Sequence, residues 1–285
     1  MTEAPQEIYS HGHHESVLRS HRWRTAENSA GYLLPLLKPT DRLLDIGVGP
    51  GTITTDLAGR LTAGSVVGID NAPAAVATAQ RLIRDRGLAN LTVTRGDVYA
   101  LDLPDGQFDV VHAHQVLQHL SNPVAALREM RRVCTQEGIV AVRDADYSAM
   151  TWFPDHPEMT RWLELYQQVA RRNGGEPDAG RRLRRWAMDA GFGSVTSTAS
   201  AWCYAEAEDL AWWSTTWAER LVASPFGRRA LELGLATADE LSALARAWGE
   251  WAGAPGAWFA ILHGEAICRS SGESRREIRR DQDVR

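Results

Sequence analysis

The sequence has a single lysine, few cysteines and no excess of positive charge. Lys38 stands alone among 31 basic residues, so cationic chemistry rests on arginine. Cys134, Cys203 and Cys268 are far apart and form no Cys-x-x-Cys pair. That excludes a cysteine-based zinc site and a disulfide framework. No run of about 18 apolar residues occurs, so no membrane span or membrane partner is expected. The first residues are polar and include Glu3 and Glu7, which a secretory signal would not carry, and a cytoplasmic protein is the expectation. The net charge of −5 argues against a nucleic-acid partner, since such proteins displace counterions with an excess of Lys and Arg.

What is present is ordinary for a globular chain: 285 residues, 44% hydrophobic and 24% charged. That length accommodates one large domain or two small ones and needs no metal or disulfide to fold. The unusual surplus is tryptophan, 11 residues, which either fill the core of a helical part or line an aromatic pocket.

Residues 1–40 read as a polar arm followed by a helix over Ala26–Leu37. From there short apolar runs alternate with helical segments. Arg42–Ile46, Ser65–Ile69, Leu91–Arg95, Phe108–His112 and Gly138–Arg143 read as strands. Thr52–Arg60, Ala74–Arg86 and Val124–Val133 read as helices. Strands alternating with helices of this length make βαβ units, hence an α/β, doubly wound, mostly parallel sheet. After Arg143 the rhythm breaks. Met159–Arg172, Asp178–Ala190, Ala207–Val222 and Ala238–Trp251 read as helices, and Ser194–Tyr204 and Ala257–Arg269 as strands. The organisation expected is an arm and helix over 1–40, a main domain over 41–269 with helical lid insertions at about 150–192 and 205–255, and a disordered tail over 270–285.

The strongest local signal is LLDIGVGPGT, in which Gly47, Gly49 and Gly51 lie between a strand and a helix. Glycines let the chain turn tightly and let a ligand approach bare backbone. A phosphate-binding P-loop would need a lysine before Thr52 and is excluded. A dinucleotide fingerprint wants a third glycine where Thr52 stands. A third reading is a loop for S-adenosylmethionine, with Asp45 at the strand end suiting a ligand that carries an amine and a sulfonium, and repelling a pyrophosphate; the glycines alone fit a mere tight turn equally well. Asp70 then ends the second strand, where an acid accepts from ribose hydroxyls. Asp97 and Val98 follow the third strand, where they suit an adenine amine and ring. Asp45, Asp70 and Asp97 thus fall at successive strand ends on the carboxyl edge, where ligands bind in open α/β sheets.

On these residues the chain resembles the class I S-adenosylmethionine-dependent methyltransferases, in the bacterial small-molecule group that includes the ubiquinone/menaquinone-biosynthesis enzymes. The matching text is LLDIGVGPGTITTDLA, VVGIDNAP and GDVYALDLPDGQFDVVHAHQVLQHLSNPVAALREMRRVCTQEGIVAVRD. The resemblance implies a Rossmann-like seven-stranded sheet whose last strand, Ala257–Arg269, is antiparallel and lies in the edge region. It implies S-adenosyl-L-methionine as cofactor. Asp45, Gly47, Gly49 and Gly51 would flank its methionine part, Asp70 and Asn71 its ribose, Asp97 and Val98 its adenine, and His114, Gln115 and His119 the methyl end. The arm would fold over the cofactor, with Tyr9 and Arg24 (or Arg22) toward its carboxylate. One departure from the pattern, Gln136-Glu137-Gly138 in place of Pro-Gly-Gly, alters a surface turn.

For catalysis His114 is the first candidate base, with Asp146 and Tyr147 as further candidates to meet substrate. His112 and His114 are read as facing opposite sides of their strand. His263 reads as structural. His11, His13 and His14 lack an accompanying acid or cysteine pattern, and no metal is expected. Trp152, Phe153, Tyr166, Trp213 and Trp217 are the candidates for an aromatic substrate pocket, which suits a flat acceptor such as an indole or quinol ring. The function expected is methyl transfer to carbon or nitrogen of a small-molecule acceptor by a monomer or homodimer. The alternatives are an RNA or protein methyltransferase, for which the basic stretch Arg181–Arg185 is the best support, and a cofactor-binding protein without transferase activity.

Overall fold

The computed structural model describes residues 23–270. The expectations placed on Tyr9, Arg22 and the arm histidines, and on the tail beyond Ser270, lie outside the described residues.

Eight strands form one sheet: β1 Arg42–Ile46, β2 Ser65–Asp70, β3 Leu91–Arg95, β4 Phe108–His114, β5 Cys134–Ala145, β6 Thr151–Phe153, β7 Ser194–Tyr204 and β8 Trp258–Arg269. The path runs β3-β2-β1-β4-β5-β8, with β7 on the far side of β8 and the short β6 continuing the β5 side of β8. β1 to β5 pair in parallel, as expected of βαβ units, while β8 is antiparallel to both its long neighbours. Two corrections follow. The sheet has an eighth strand, β6, and β8 is an interior strand with β7 beyond it. Because β8 runs antiparallel to both β5 and β7, β7 points the same way as β5, so its Trp202–Tyr204 end reaches the same carboxyl edge as Asp45, Asp70 and His114.

The helices are α1 Ala26–Ala30, α2 Thr52–Arg60, α3 Pro73–Arg86, α4 Pro123–Val133, α5 Pro157–Arg172, α6 Leu183–Asp189, α7 Ala207–Ala223, α8 Pro225–Glu232 and α9 Ala238–Ala252. Several begin at Pro-x or capped positions that the sequence displays. Asn122 accepts from the Ala125 N–H ahead of Pro123, and Thr237 accepts from the Glu240 N–H. Thr25 and Asn28 make a reciprocal capping box at the start of α1. The single helix expected over 26–37 is not one helix. α1 ends at Ala30, and a 3-10 turn covers Leu34–Leu36. Pro35 has no N–H to give to Gly31 and its ring would clash with that carbonyl, so a continuous helix cannot form. The segment expected as a helix over 178–190 likewise divides into a 3-10 turn, Gly180–Arg182, and α6.

Two apolar clusters pack on the two faces of the sheet around β1, β4 and β5, with Leu44, Val111 and Val140 in one and Leu43, Val110 and Ala141 in the other. A third cluster is built from the inserted helices. Trp162, Trp217, Trp248 and Trp251 are each 0 to 1% exposed; Trp162 meets Trp217 and Trp248 edge to face, and Trp162, Trp248 and Trp251 surround Phe259. These tryptophans are the core of the helical part, worth about 2–3 kcal/mol each in buried apolar area. No helix among the described residues is long and apolar enough to cross a membrane.

Candidate active site

Every glycine of the 47–51 loop has positive φ: Gly47 at 73°, Gly49 at 53° and Gly51 at 89°. A side chain at Gly47 would collide with Val116 Cγ2, and one at Gly51 would meet Ala79 Cβ at 2.9 Å. The loop therefore cannot be built from other residues without strain. It is also tied to β2, because the Gly49 N–H donates to Asp70 Oδ2 at 2.9 Å while the Ala72 N–H donates to Oδ1 at 2.9 Å. Asp70 thus shapes the loop as well as facing the cavity beside it.

That cavity is lined by Asp45, Gly47, Gly49, Asp70, Asn71, Asp97, Val98, His114, Gln115 and His119, with Arg24 reaching in from before α1. All twelve described residues expected at the cofactor are there except Gly51, which lies at the loop's helix end. Asp45 is buried, with Thr54 Oγ1 donating to one carboxylate oxygen at 2.5 Å and the His112 ring to the other at 2.7 Å. Asp97 is exposed and accepts from the Tyr99 N–H at 2.9 Å, which orders the turn after β3.

Gln115 is the sole non-glycine among the described residues with positive φ, 53°. Such a conformation costs on the order of 1–3 kcal/mol and persists where surrounding structure imposes it. Here the Gln115 N–H is held by the Arg143 carbonyl at 2.7 Å. Its side chain accepts from Arg24 Nη2 at 2.7 Å through Oε1 and contacts His263 Nε2 at 2.8 Å through Nε2. The amide must be the donor in the second bond, so His263 carries its proton on Nδ1, which faces the Ile261 carbonyl at 3.2 Å. His263 is therefore structural, as expected, but in the service of Gln115.

His112 and His114 do not face opposite sides: residues two apart on a strand share a face. His114 is 6% exposed, and both its ring nitrogens are without a partner among the described residues. Burial first, then the Arg143 and Arg24 guanidiniums, hold its pKa well below the usual imidazole range. His119 is pushed down to about 3, by burial and then by Arg24. A base with so low a pKa gives little driving force for taking a proton, which counts against His114 as general base. Asp146, a further catalytic candidate, is held in an ion pair. Arg181 donates to its two oxygens from Nε at 2.6 Å and from Nη2 at 2.5 Å. The rest of the basic stretch is also partnered: Arg182 bonds Glu176, Arg184 the Val195 carbonyl and Arg185 Asp189.

A second, smaller cavity opens beside the first and shares Arg24 and Gln115 with it. Its other walls are Ala145, Tyr147, Met150, Trp202, Tyr204, Trp213, Arg220 and Ile261. Of the expected pocket aromatics only Trp213 lies here, joined by Tyr147. Tyr166 and Trp217 are one layer behind in the core, Tyr166 stacked on Tyr147 at 4.1 Å. Trp152 and Phe153 belong to β6, away from this cavity: Trp152 is half-buried and stacked on Phe259, while Phe153 points outward at 57% exposure. Their positions follow from helix and strand faces that hydrophobic pattern alone could not orient, since these segments carry aromatics on several sides. The walls that sequence reasoning missed, Trp202 and Tyr204, alternate at the carboxyl end of β7. Trp202 is fixed by its Nε1–H donating to the Asn28 carbonyl at 2.7 Å and by Trp23 packed edge-on at 5.2 Å.

A family model described as a methyltransferase domain matches residues 37–197. Over 228 residues the chain is 36% identical to an uncharacterized methyltransferase of Schizosaccharomyces pombe, covering 77% of this chain and 81% of that one. It is 30% identical over 274 residues to a probable methyltransferase of Aspergillus luteorubrus, covering 90% and 94%. The chain belongs to the S-adenosylmethionine-dependent methyltransferases. Its fold is shared with the YcgJ protein of Bacillus subtilis, with a TM-score of 0.57 at 16% identity over 85% of this chain and 98% of that one. The methyltransferase uses S-adenosylmethionine, and its first cavity fits that ligand chemically. Acids stand at the strand ends, bare backbone forms the loop, and no lysine or arginine of the glycine loop awaits a pyrophosphate.

Proposed function

We propose that the enzyme methylates a small, flat acceptor held in the second cavity, at a carbon or nitrogen of an indole- or quinol-like ring. The observation that carries this reading is the junction of the two cavities at Arg24 and Gln115, which brings an aromatic slot against the cofactor cavity. In this assignment the 47–51 loop and Gln115 hold the methionine end, Arg24 its carboxylate, Asp70 and Asn71 the ribose, and Asp97 with Val98 the adenine.

S-adenosylmethionine, when bound, supplies an electrophilic methyl group on a leaving group that needs no activation. The chain's task is then to position and to keep water out. Trp202, locked by Asn28 and Trp23, and Tyr204, stacked on Trp213 at 4.7 Å, are rigid aromatic walls of that cavity. His114, held neutral, offers one donor and one acceptor at the boundary and takes no proton in the transfer. An electron-rich ring carbon attacks before it loses its proton, so such an acceptor suits a site without a strong base. The test is a screen of aromatic metabolites for methyl transfer with mass detection. Methylated products confined to acceptors that lack a flat ring would refute the aromatic reading.

A further inference from the structure

We propose that His112 and Thr54 are positioning residues that aim the Asp45 carboxylate at the amino group of the cofactor's methionine part. The inference rests on the cofactor assignment above, in which the methionine end lies at the 47–51 loop. Asp45 stands near the carboxyl end of β1, is 3% exposed and still lines the first cavity. Its neighbours across the sheet are His112 on β4 and Gly68 on β2. The His112 ring reaches Oδ1 from Nδ1 at 2.7 Å, and Thr54, in the first turn of α2, donates to Oδ2 from Oγ1 at 2.5 Å. Thr54 comes in over Gly68, where a side chain would run into Val48 Cγ1 at 2.7 Å and touch Thr54 Cγ2 at 3.5 Å. The acid is thus clamped from two elements, a neighbouring strand and the helix that follows the glycine loop.

A carboxylate only accepts, so His112 donates from Nδ1. Its other nitrogen, Nε2, is buried without a partner among the described residues. The residue is 0% exposed, in a strand whose Val110, Val111 and Ala113 are apolar and buried. Leaving a ring nitrogen buried and unpaired costs stability, and a leucine would fill the same space without that cost. The bond to Asp45 accounts for a histidine at this place. Neither His112 nor Thr54 lines the first cavity, so both act through Asp45. An ionised carboxylate has room for about four hydrogen bonds. The two donors take one bond at each oxygen from inside the protein and leave lone pairs for a ligand ammonium. Holding the side chain in one rotamer beforehand spares the ordering cost when the cofactor binds.

The experiment is calorimetric binding, by the full-length protein, of S-adenosylhomocysteine and of its deaminated analogue, in which a hydrogen replaces the amino group. The wild type is expected to bind the first at least about tenfold more tightly, the worth of one charge-assisted hydrogen bond. His112→Leu and Thr54→Val should each shrink that ratio by about threefold or more, while affinity for the analogue stays within about twofold. His112→Asn, whose amide donates in place of the Nδ1–H, should keep the ratio within about twofold of the wild type. A merely structural role would weaken both ligands alike, and that result would overturn the proposal. So would a ratio that survives in His112→Leu and Thr54→Val, or one lost in His112→Asn as fully as in His112→Leu. Should His112→Leu fail to fold, the isosteric Thr54→Val decides. Equal affinity of the wild type for the two ligands would overturn the aim of Asp45 and the proposal with it. Failure of the wild type to bind S-adenosylhomocysteine would instead strike the cofactor assignment on which the proposal stands.

Discussion

Asp70 is the residue at which the proposed cofactor geometry can be tested most quantitatively. Its two carboxylate oxygens each take a backbone N–H, from Gly49 and from Ala72, both at 2.9 Å, and the side chain borders the first cavity. In the proposed binding mode the same oxygens also accept from the two ribose hydroxyls. Each hydrogen bond to a charged acceptor is worth about 1.5–3 kcal/mol, so losing even one net bond weakens binding about tenfold. Asp70→Ala removes both ligand bonds and also releases the Gly49 N–H that ties down the loop, so S-adenosylhomocysteine should bind at least about tenfold more weakly. Asp70→Asn keeps one acceptor oxygen and should fall between the two. The assay is isothermal titration with S-adenosylhomocysteine, run beside denaturant unfolding of the ligand-free variants. An unchanged affinity in Asp70→Ala would refute the reasoning. So would equal losses in the two variants that follow their loss of stability, because the ligand contact would then add nothing to loop support.

Three further outcomes follow from the same structure. Because burial and two guanidiniums keep His114 neutral, His114→Phe should lower kcat by less than about tenfold, and kcat should show no histidine inflection between about pH 6 and 8; a fall of about 10²–10⁴-fold would restore the general base. Asp144 is 0% exposed, Oδ2 has no partner among the described residues, and burial raises its pKa to about 7. A carboxyl raised in this way is stabilising at low pH and loses that contribution as pH rises from about 4 through about 7. Asp144→Asn, which keeps an oxygen for the Gln118 N–H, should therefore gain stability over the wild type on going from pH 5 to 8.5, by at most about 3 kcal/mol, and parallel unfolding curves would contradict this. Asp146→Asn and Arg181→Met should each cost about 1–3 kcal/mol of stability with kcat little changed, since that pair is structural; loss of kcat in the first alone would return Asp146 to the reaction.

The order of β1 to β5 and the glycine loop were legible because their causes are local. Apolar runs of strand length, Gly at positive φ and Asn or Pro at helix starts all act within a few residues. The acids at the strand ends were legible for the same reason, since the end of a strand places Asp45, Asp70 and Asp97 whatever the rest of the chain does. The misreadings have long-range causes. Asp146 looked available because its partner, Arg181, is brought to it only by the fold. Trp202 and Tyr204 escaped notice because β7 reaches the ligand edge only once β8 has been inserted beside it. The lid tryptophans could be counted but not aimed, since the spacing puts Trp213 and Trp217 on one face of α7 but does not say which neighbouring element that face meets. His114 lines the cavity, yet its low basicity depends on burial and on Arg143 and Arg24, which meet it through the sheet and through the segment before α1.

The most direct measurement is a crystal structure of the enzyme with S-adenosylhomocysteine and a methylated product. The account predicts the ribose on Asp70, the adenine beside Asp97 and Val98, and the sulfur at Gln115, with the product ring at the second cavity and its methyl group facing that sulfur. A ligand bound in the reverse direction along the loop, or a product lodged outside the Arg24–Gln115 junction, would contradict it.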